Sequence, residues 1–183
     1  MDNIMFCSCG RRATLLKDFR KSMNGCGKIV ATDMSPVAPA LFMADETYLV
    51  PRIDDPSYYE HVLDICEKSK VKAITTLIDP EIEILAKNRE DLLSKGILPL
   101  CPADWTARLC YDKYEMFKYL HDKGVRTILT YNSLGGFKNG LEKGEISFPL
   151  FMKPINGSGS VGIGKVNSWE EAEAKFKDGK FTY

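Results

Sequence analysis

Val71-Lys72-Ala73-Ile74-Thr75-Thr76-Leu77-Ile78 runs directly into Asp79-Pro80-Glu81. The first eight residues are rich in β-branched side chains and nearly continuously apolar, as in a strand buried on both faces of a parallel sheet. The next three open a helix. Asp79 stands at the cap, Pro80 takes the first helical position, where its missing N–H costs nothing, and Glu81 and Glu83 put negative charge into the first turn. Gly96 ends this helix, and residues 97–100 form the next short strand.

The same unit repeats toward the N-terminus. Asn3-Ile4-Met5-Phe6-Cys7 is a short apolar run that ends in the turn Ser8-Cys9-Gly10. Residues 11–23 follow with Leu15, Leu16 and Phe19 at helical spacing, and Asn24-Gly25-Cys26-Gly27 stops them. Residues 28–32 read as a second strand with Asp33 at its end. Residues 36–43 read as one or two helical turns, and residues 47–50 as a brief strand. Ser57 is placed to cap a helix over 58–68 whose apolar face carries Val62, Ile65 and Cys66. Repeated strand–helix units of this length predict a parallel sheet with helices on both faces. Ligands of such sheets bind at the carboxyl ends of the strands, where Asp33, Asp79 and Glu81 fall.

The pattern changes after about residue 125. Gly135-Gly136 and Gly140 mark a loose polar stretch. Residues 148–153 then read as a strand, 157–160 as a Gly-Ser-Gly-Ser turn, and 161–166 as a returning strand, with Ser168 capping a helix over 169–177. This predicts a second domain of α+β character.

Composition narrows the function classes. The 183 residues include 25 basic and 25 acidic side chains, so net charge is zero and a general nucleic-acid binder is disfavoured. No basic leader with an apolar segment opens the chain, and no apolar run is long enough to span a membrane, so a cytoplasmic protein is expected. The six cysteines then read as reduced thiols. Cys7 and Cys9 form a pair with no second pair at zinc spacing, and His61 and His121 lack partners at metal spacing.

The strongest chemical signal is Phe148-Pro149-Leu150-Phe151-Met152-Lys153-Pro154 followed by Asn156-Gly157-Ser158-Gly159-Ser160-Val161-Gly162. A lysine at a strand end sets an ammonium beside a small-residue loop whose N–H groups and hydroxyls can surround phosphate oxygens. It is not a Walker A loop, because no Gly-Lys-Ser/Thr follows and no helix opens directly after it. Asp112-Lys113 is the second signal. Asp112 reads as a cap and Lys113 as a first-turn cation, which the helix dipole disfavours unless an anion holds it there. Arg11 and Arg12 follow the glycine turn after the first strand and could meet an anionic substrate. Tyr111, Tyr114, Phe117 and Tyr119 read as core and boundary packing.

These pieces resemble the carbamoyl-phosphate-synthase large-chain-like group of the ATP-grasp superfamily. Cys9-Gly10-Arg11-Arg12, Ala31-Thr32-Asp33, Ala44-Asp45 with Val50-Pro51-Arg52, Asp79-Pro80-Glu81, Asp112-Lys113 with Gly124, and the 148–162 string match in family order across nearly the whole chain. The resemblance implies a Rossmann-like pre-ATP-grasp domain over residues 1–110 and a truncated, incomplete α+β start of the ATP-grasp domain over 111–183. It implies ATP contacts from Lys113, Lys153, Gly157, Ser158, Gly159 and Ser160, and contacts to a small carboxylate substrate from Gly10, Arg11, Arg12, Asp33, Asp79 and Glu81. ATP with Mg²⁺ would phosphorylate the carboxylate in the full-length protein, and an amine or similar nucleophile would attack the acyl phosphate. The family's adenine hinge and metal-holding acids lie on later strands, so no residue here is assigned to catalysis or to metal, and this piece alone is expected to be inactive. Two other readings stand beside this one. In one, the chain is a non-catalytic module binding a small molecule or a partner. In the other, it is a scaffold whose first domain makes homodimer contacts.

Overall fold

The computed structural model describes residues 2–157 and 159–177. The chain divides into two compact units, 1–107 and 108–183. In the first, β1 (Asn3–Cys7), β2 (Ile29–Asp33), β3 (Glu46–Leu49), β4 (Val71–Thr76) and β5 (Leu98–Pro99) form one sheet in the order β3-β2-β1-β4-β5. Every pairing is parallel. β1 and β2 are buried at all five positions, which is why their sequences lack the polar alternation of a half-exposed strand.

Successive β1 side chains feed two separate cores. Met5 and Cys7 join Val30, Val62, Ile74 and Leu85 on one face, against the helices α2 (Tyr58–Lys68), α3 (Asp79–Lys87) and α4 (Arg89–Ser94). Ile4 and Phe6 join Ile29, Ala31 and Leu41 on the other, where α1 (Ala13–Met23) inserts Leu16. The chain leaves β1 on one side for β2 and returns from β3 to the other side at β4. The strand order therefore reverses between β1 and β4, the position at which open parallel sheets take ligands at the carboxyl ends of their strands.

Local details differ from the sequence expectation. Residues 36–43 supply only a 3-10 turn at Leu41–Met43. Ser57 makes no side-chain cap; its N–H and hydroxyl both turn back to Asp55 Oδ1, at 2.8 and 2.7 Å. Asp79 is the first residue of α3 and Ile78 occupies the cap. The single helix expected up to Gly96 is two, broken at Asn88, whose side chain donates to the carbonyl of Ile84 at 2.8 Å.

In chain order α5 (Asp104–Tyr111) follows β5 and includes the division between the two units. In the second unit α6 (Lys113–Asp122) precedes α7 (Leu134–Glu142), and an antiparallel pair, β6 (Leu150–Met152) with β7 (Gly164–Val166), leads to α8 (Trp169–Lys177). Both strands are shorter than the apolar runs that announce them. Phe137, Met152, Val166 and Ala172 form the core, with Phe137 stacked on Trp169 at 5.8 Å and edge-on to Phe148 at 6.1 Å. The aromatic side chains of α6 belong to the boundary rather than the core: none of its residues is buried, Tyr114 and Phe117 are half-buried, and the rings of Tyr114, Phe117 and His121 follow one another at tilted angles along the helix.

The loose stretch expected at the glycines is α7, capped by Ser133, whose hydroxyl accepts the Gly136 N–H at 3.1 Å. Gly140 is a packing residue. A Cβ there would lie 2.5 Å from the Tyr131 hydroxyl, which donates to Glu145 at 2.7 Å. Gly135 on the same helix has open space around it. Gly140→Ala should therefore destabilise the second unit by about 1–3 kcal/mol through overpacking. Gly135→Ala should stabilise it by about 0.5–1 kcal/mol through helix propensity. Urea unfolding of the two variants checks the opposite signs.

Candidate functional site

At the carboxyl ends of β1 and β2 the chain stitches its own loops together. Gly10, at φ +51°, donates its N–H to Asp33 Oδ2 at 2.8 Å. The other oxygen of Asp33 accepts the Ser35 N–H at 2.9 Å. The Cys9 N–H reaches the Thr32 carbonyl at 3.2 Å, and the Ala40 N–H reaches the Gly10 carbonyl at 3.0 Å. One buried carboxylate thus fixes the turns after both strands. Arg11 and Arg12 leave this turn exposed, with Arg12 at the α1 cap position and no side-chain capping bond. The result is a pair of solvent-facing guanidinium groups beside a rigid backbone corner.

Asp79 and Glu81 part company. Asp79 is exposed, whereas Glu81 is fully buried. Its two carboxyl oxygens accept from the Tyr58 and Thr76 hydroxyls, so it meets a ligand only by exchanging those bonds. Burial pushes its pKa up to about 7; Ser8 and Cys7 side-chain hydrogen bonds act against that rise, and the charge of Asp33 adds to it. Burial also lifts the Cys7 thiol well above its usual range, with the Glu81 charge next in effect, and raises Cys9 to about 11. Both shifts favour the neutral thiol over the nucleophilic thiolate. Thr32 Oγ1 lies buried without a hydrogen-bond partner among the described residues. Tyr58, Thr76 and Ser8 are members of this polar cluster that the sequence reading passed over. A hydroxyl at a strand end five residues before a buried acid was the available signal for Thr76; Tyr58 carried none.

In the second unit a cleft of about 510 Å³ is lined by Lys113 and Lys153 together with Cys110, Met116, Leu129 and Tyr131. Both sequence-chosen lysines therefore border one space, but in different states. Lys153 follows β6 and is exposed. Lys113 is engaged: its Nζ donates to the carbonyls of Ile155 at 3.2 Å and Gly157 at 2.9 Å, and its backbone N–H donates to Ile155 at 3.1 Å. Asn156 Nδ2 adds a bond to the Tyr111 carbonyl at 3.3 Å. Asp112 caps α6 as its sequence position foretold, accepting from the Tyr114 and Glu115 N–H groups at 2.9 Å each. With those amides committed, the start of α6 offers no anion site of its own, and the lysine ammonium groups are its cationic resource. Gly157, Gly159 and Ser160 all have positive φ, the backbone curvature of a tight loop, whereas Ser158 lies outside the described residues. Leu129 and Tyr131, which wall the cleft, sit in a segment with neither helix nor strand and without a motif, so nothing in the sequence marked them.

Among the described residues no group of three or more His, Cys, Asp and Glu side chains is placed to hold a metal ion.

Residues 4–100 match the family model described as PylC-like, N-terminal domain. No curated protein sequence matches the chain. Among solved structures it superposes on L-amino acid ligase from Bacillus licheniformis with a TM-score of 0.71 at 18% identity, covering 99% of this chain and 43% of that one. It superposes on N5-carboxyaminoimidazole synthetase from Staphylococcus aureus complexed with ADP with a TM-score of 0.70 at 17% identity, covering 96% and 44%. For biotin carboxylase from Campylobacter jejuni in complex with a nucleotide, the TM-score is 0.67 at 19% identity, covering 97% and 41%. The likeness at these identities is one of fold, and the chain spans less than half the length of each relative.

Two predictions follow from the β1–β4 end of the sheet. Asp33→Asn leaves one acceptor oxygen for two N–H donors, so Gly10 or Ser35 loses its partner; stability should fall by about 1–3 kcal/mol in denaturant unfolding, with faster amide exchange at the orphaned residue. Glu81, with its folded pKa raised to about 7, favours the fold most when protonated. Its contribution is complete below the ordinary glutamate range and is lost as pH rises through about 7. Glu81→Gln should remove that component from a plot of melting temperature against pH.

Proposed function

We propose, from the premise that this chain belongs to the PylC-like N-terminal-domain family, the pre-domain of ATP-grasp proteins, that it supplies the front part of an ATP-dependent ligase. The reaction is activation of a carboxylate as an acyl phosphate, followed by attack of an amine or similar nucleophile. The observation that carries this reading is the convergence of Lys113 and Lys153 on one cleft, with Lys113 tied to the glycine loop through the Gly157 carbonyl. Its mixed lining suits a nucleotide, with apolar walls for a flat base and ammonium groups for phosphates.

Bound ATP supplies the transferable phosphoryl group, and the chain's own residues orient it. Lys153, exposed at the mouth of the cleft, meets phosphate oxygens directly. Lys113 does so by releasing the carbonyls it now holds, which couples phosphate arrival to movement of residues 155–157. Such transfer relies on positioning and on neutralising oxygen charge. Magnesium, which would neutralise part of that charge, has no group of three or more His, Cys, Asp and Glu side chains to hold it among the described residues. Arg11, Arg12 and the backbone corner at Gly10 are the groups proposed for the carboxylate substrate. The carbamoyl-phosphate-synthase-like resemblance fits this chemistry without fixing carbamoyl phosphate as the product.

The deciding measurement is calorimetric titration of Mg-ATP into this chain and into a longer form carrying the segments that close the cleft. Binding is expected to be weak in the chain alone and firm in the longer form. In the longer form Lys153→Ala should lower affinity about tenfold or more, a loss of about 1.4 kcal/mol or above. Unchanged affinity in that variant would refute Lys153 as a phosphate ligand. Firm binding by the chain alone would show a nucleotide site complete within it.

A further inference from the structure

The segment after Lys153 is fastened to the junction between two helices. α5 ends at Tyr111 and α6 starts at Lys113, so the junction carries a last-turn carbonyl and a first-turn N–H that a helix does not satisfy within itself. Residues 155 and 156 supply both partners. The Ile155 carbonyl accepts the Lys113 N–H at 3.1 Å, and Asn156 Nδ2 donates to the Tyr111 carbonyl at 3.3 Å. Two further bonds come from the Lys113 ammonium, which donates to the Ile155 carbonyl at 3.2 Å and to the Gly157 carbonyl at 2.9 Å. Pro154 stiffens the approach from β6, because its ring fixes φ. Past the attachment, Gly157 stands at φ +114°, a conformation that glycine alone adopts freely.

We propose that Asn156 is a positioning residue. Its side chain holds the 155–156 stem on the α5–α6 junction while the Lys113 ammonium leaves the Ile155 and Gly157 carbonyls for phosphate, so that residues 155–157 move by turning at Gly157 rather than by peeling away from α6. Its use for ATP rests on the reading of the cleft as a nucleotide site; the attachment itself does not.

The four bonds are of two kinds. Those of the ammonium are exchangeable, because phosphate oxygens compete strongly with carbonyls for a cation. The other two join neutral groups, a backbone N–H to one carbonyl and a side-chain amide to another. Asparagine suits this place because its amide donates without carrying charge, so it grips a carbonyl without competing with Lys113 for the anion. Lys153 lies two residues before Ile155. A stem that stays seated therefore also keeps the backbones of the two cleft lysines at a fixed separation.

The test is amide hydrogen exchange, followed by NMR at residue 113. A first-turn N–H has no partner within its own helix, so protection of this one reports the bond to Ile155. In the ligand-free chain Lys113→Met removes both ammonium bonds, and that amide should stay protected. Adding Asn156→Ala to Lys113→Met should speed its exchange about three- to tenfold. The Phe137 and Ala172 amides, bonded to the Ser133 and Ser168 carbonyls, should exchange as before. An unchanged rate at residue 113 in the double variant, loss of its protection in Lys113→Met alone, or an acceleration shared by Phe137 and Ala172 would overturn the proposal. If the double variant does not fold, Asn156→Ala alone serves: exchange of the Lys113 amide should be about threefold faster, and an unchanged rate would overturn the assignment. In a longer form carrying the segments that close the cleft, saturating Mg-ATP should leave the Lys113 amide protected in the wild type and expose it in Asn156→Ala. Loss of that protection in the wild type on binding would refute the positioning role. Failure of the ligase reading looks different: the longer wild-type form then binds no Mg-ATP, while the ligand-free exchange pattern stands.

Discussion

The double burial of β1 is the constraint on which the first unit depends. All five of its residues are buried, with alternate side chains committed to opposite cores. A one-residue slip would exchange Met5 with Phe6 and destroy both packings at once. Its backbone is paired on both sides, to β2 and to β4. What emerges at its carboxyl end is therefore held in place before any loop contributes. The turn at Ser8–Gly10 inherits that rigidity and extends it through Asp33, whose carboxylate serves the turns after two neighbouring strands.

Much of this architecture was legible in the sequence, because burial on both faces leaves a strong signal. The runs at 3–7, 28–32 and 71–78 announced parallel strands, and the Asp112 cap was read at its true place. The errors arose where a tertiary contact overrode a local preference. Gly135, Gly136 and Gly140 read as a loop because glycine is a poor helix former. The helix forms because Phe137 is buried on it and Tyr131 needs the space at Gly140. Ser57 failed as a cap because its backbone is already helical, at φ −83° and ψ −7°, rather than in the extended conformation a cap requires, and its hydroxyl is turned to Asp55. The helix after β4 broke at Asn88, whose amide competes for backbone hydrogen bonds.

For the candidate site, legibility followed residue chemistry. Lysines beside glycines are conspicuous, and Lys113 and Lys153 border one cleft although forty residues separate them in the chain. Glu81 was singled out as an acid at a strand end, but its burial and its two hydroxyl partners depend on Tyr58, placed by the packing of a helix from another part of the chain. Sequence position indicates which residues gather at an edge of the sheet. It does not indicate which of them face solvent.

The capping of α6 has a consequence for selectivity. Backbone amides arrayed at a helix start read the shape of an anion as well as its charge, and at α6 Asp112 and Ile155 have taken them. An anion bound there would meet ammonium groups, which act as point charges with little directional demand. Attraction of that kind is screened over about 10 Å at 0.1 M salt. On the proposed nucleotide-binding reading, shape discrimination among phosphates would come from the apolar walls of the cleft and from the backbone of the glycine loop, leaving the ionic part of the affinity to vary with the medium.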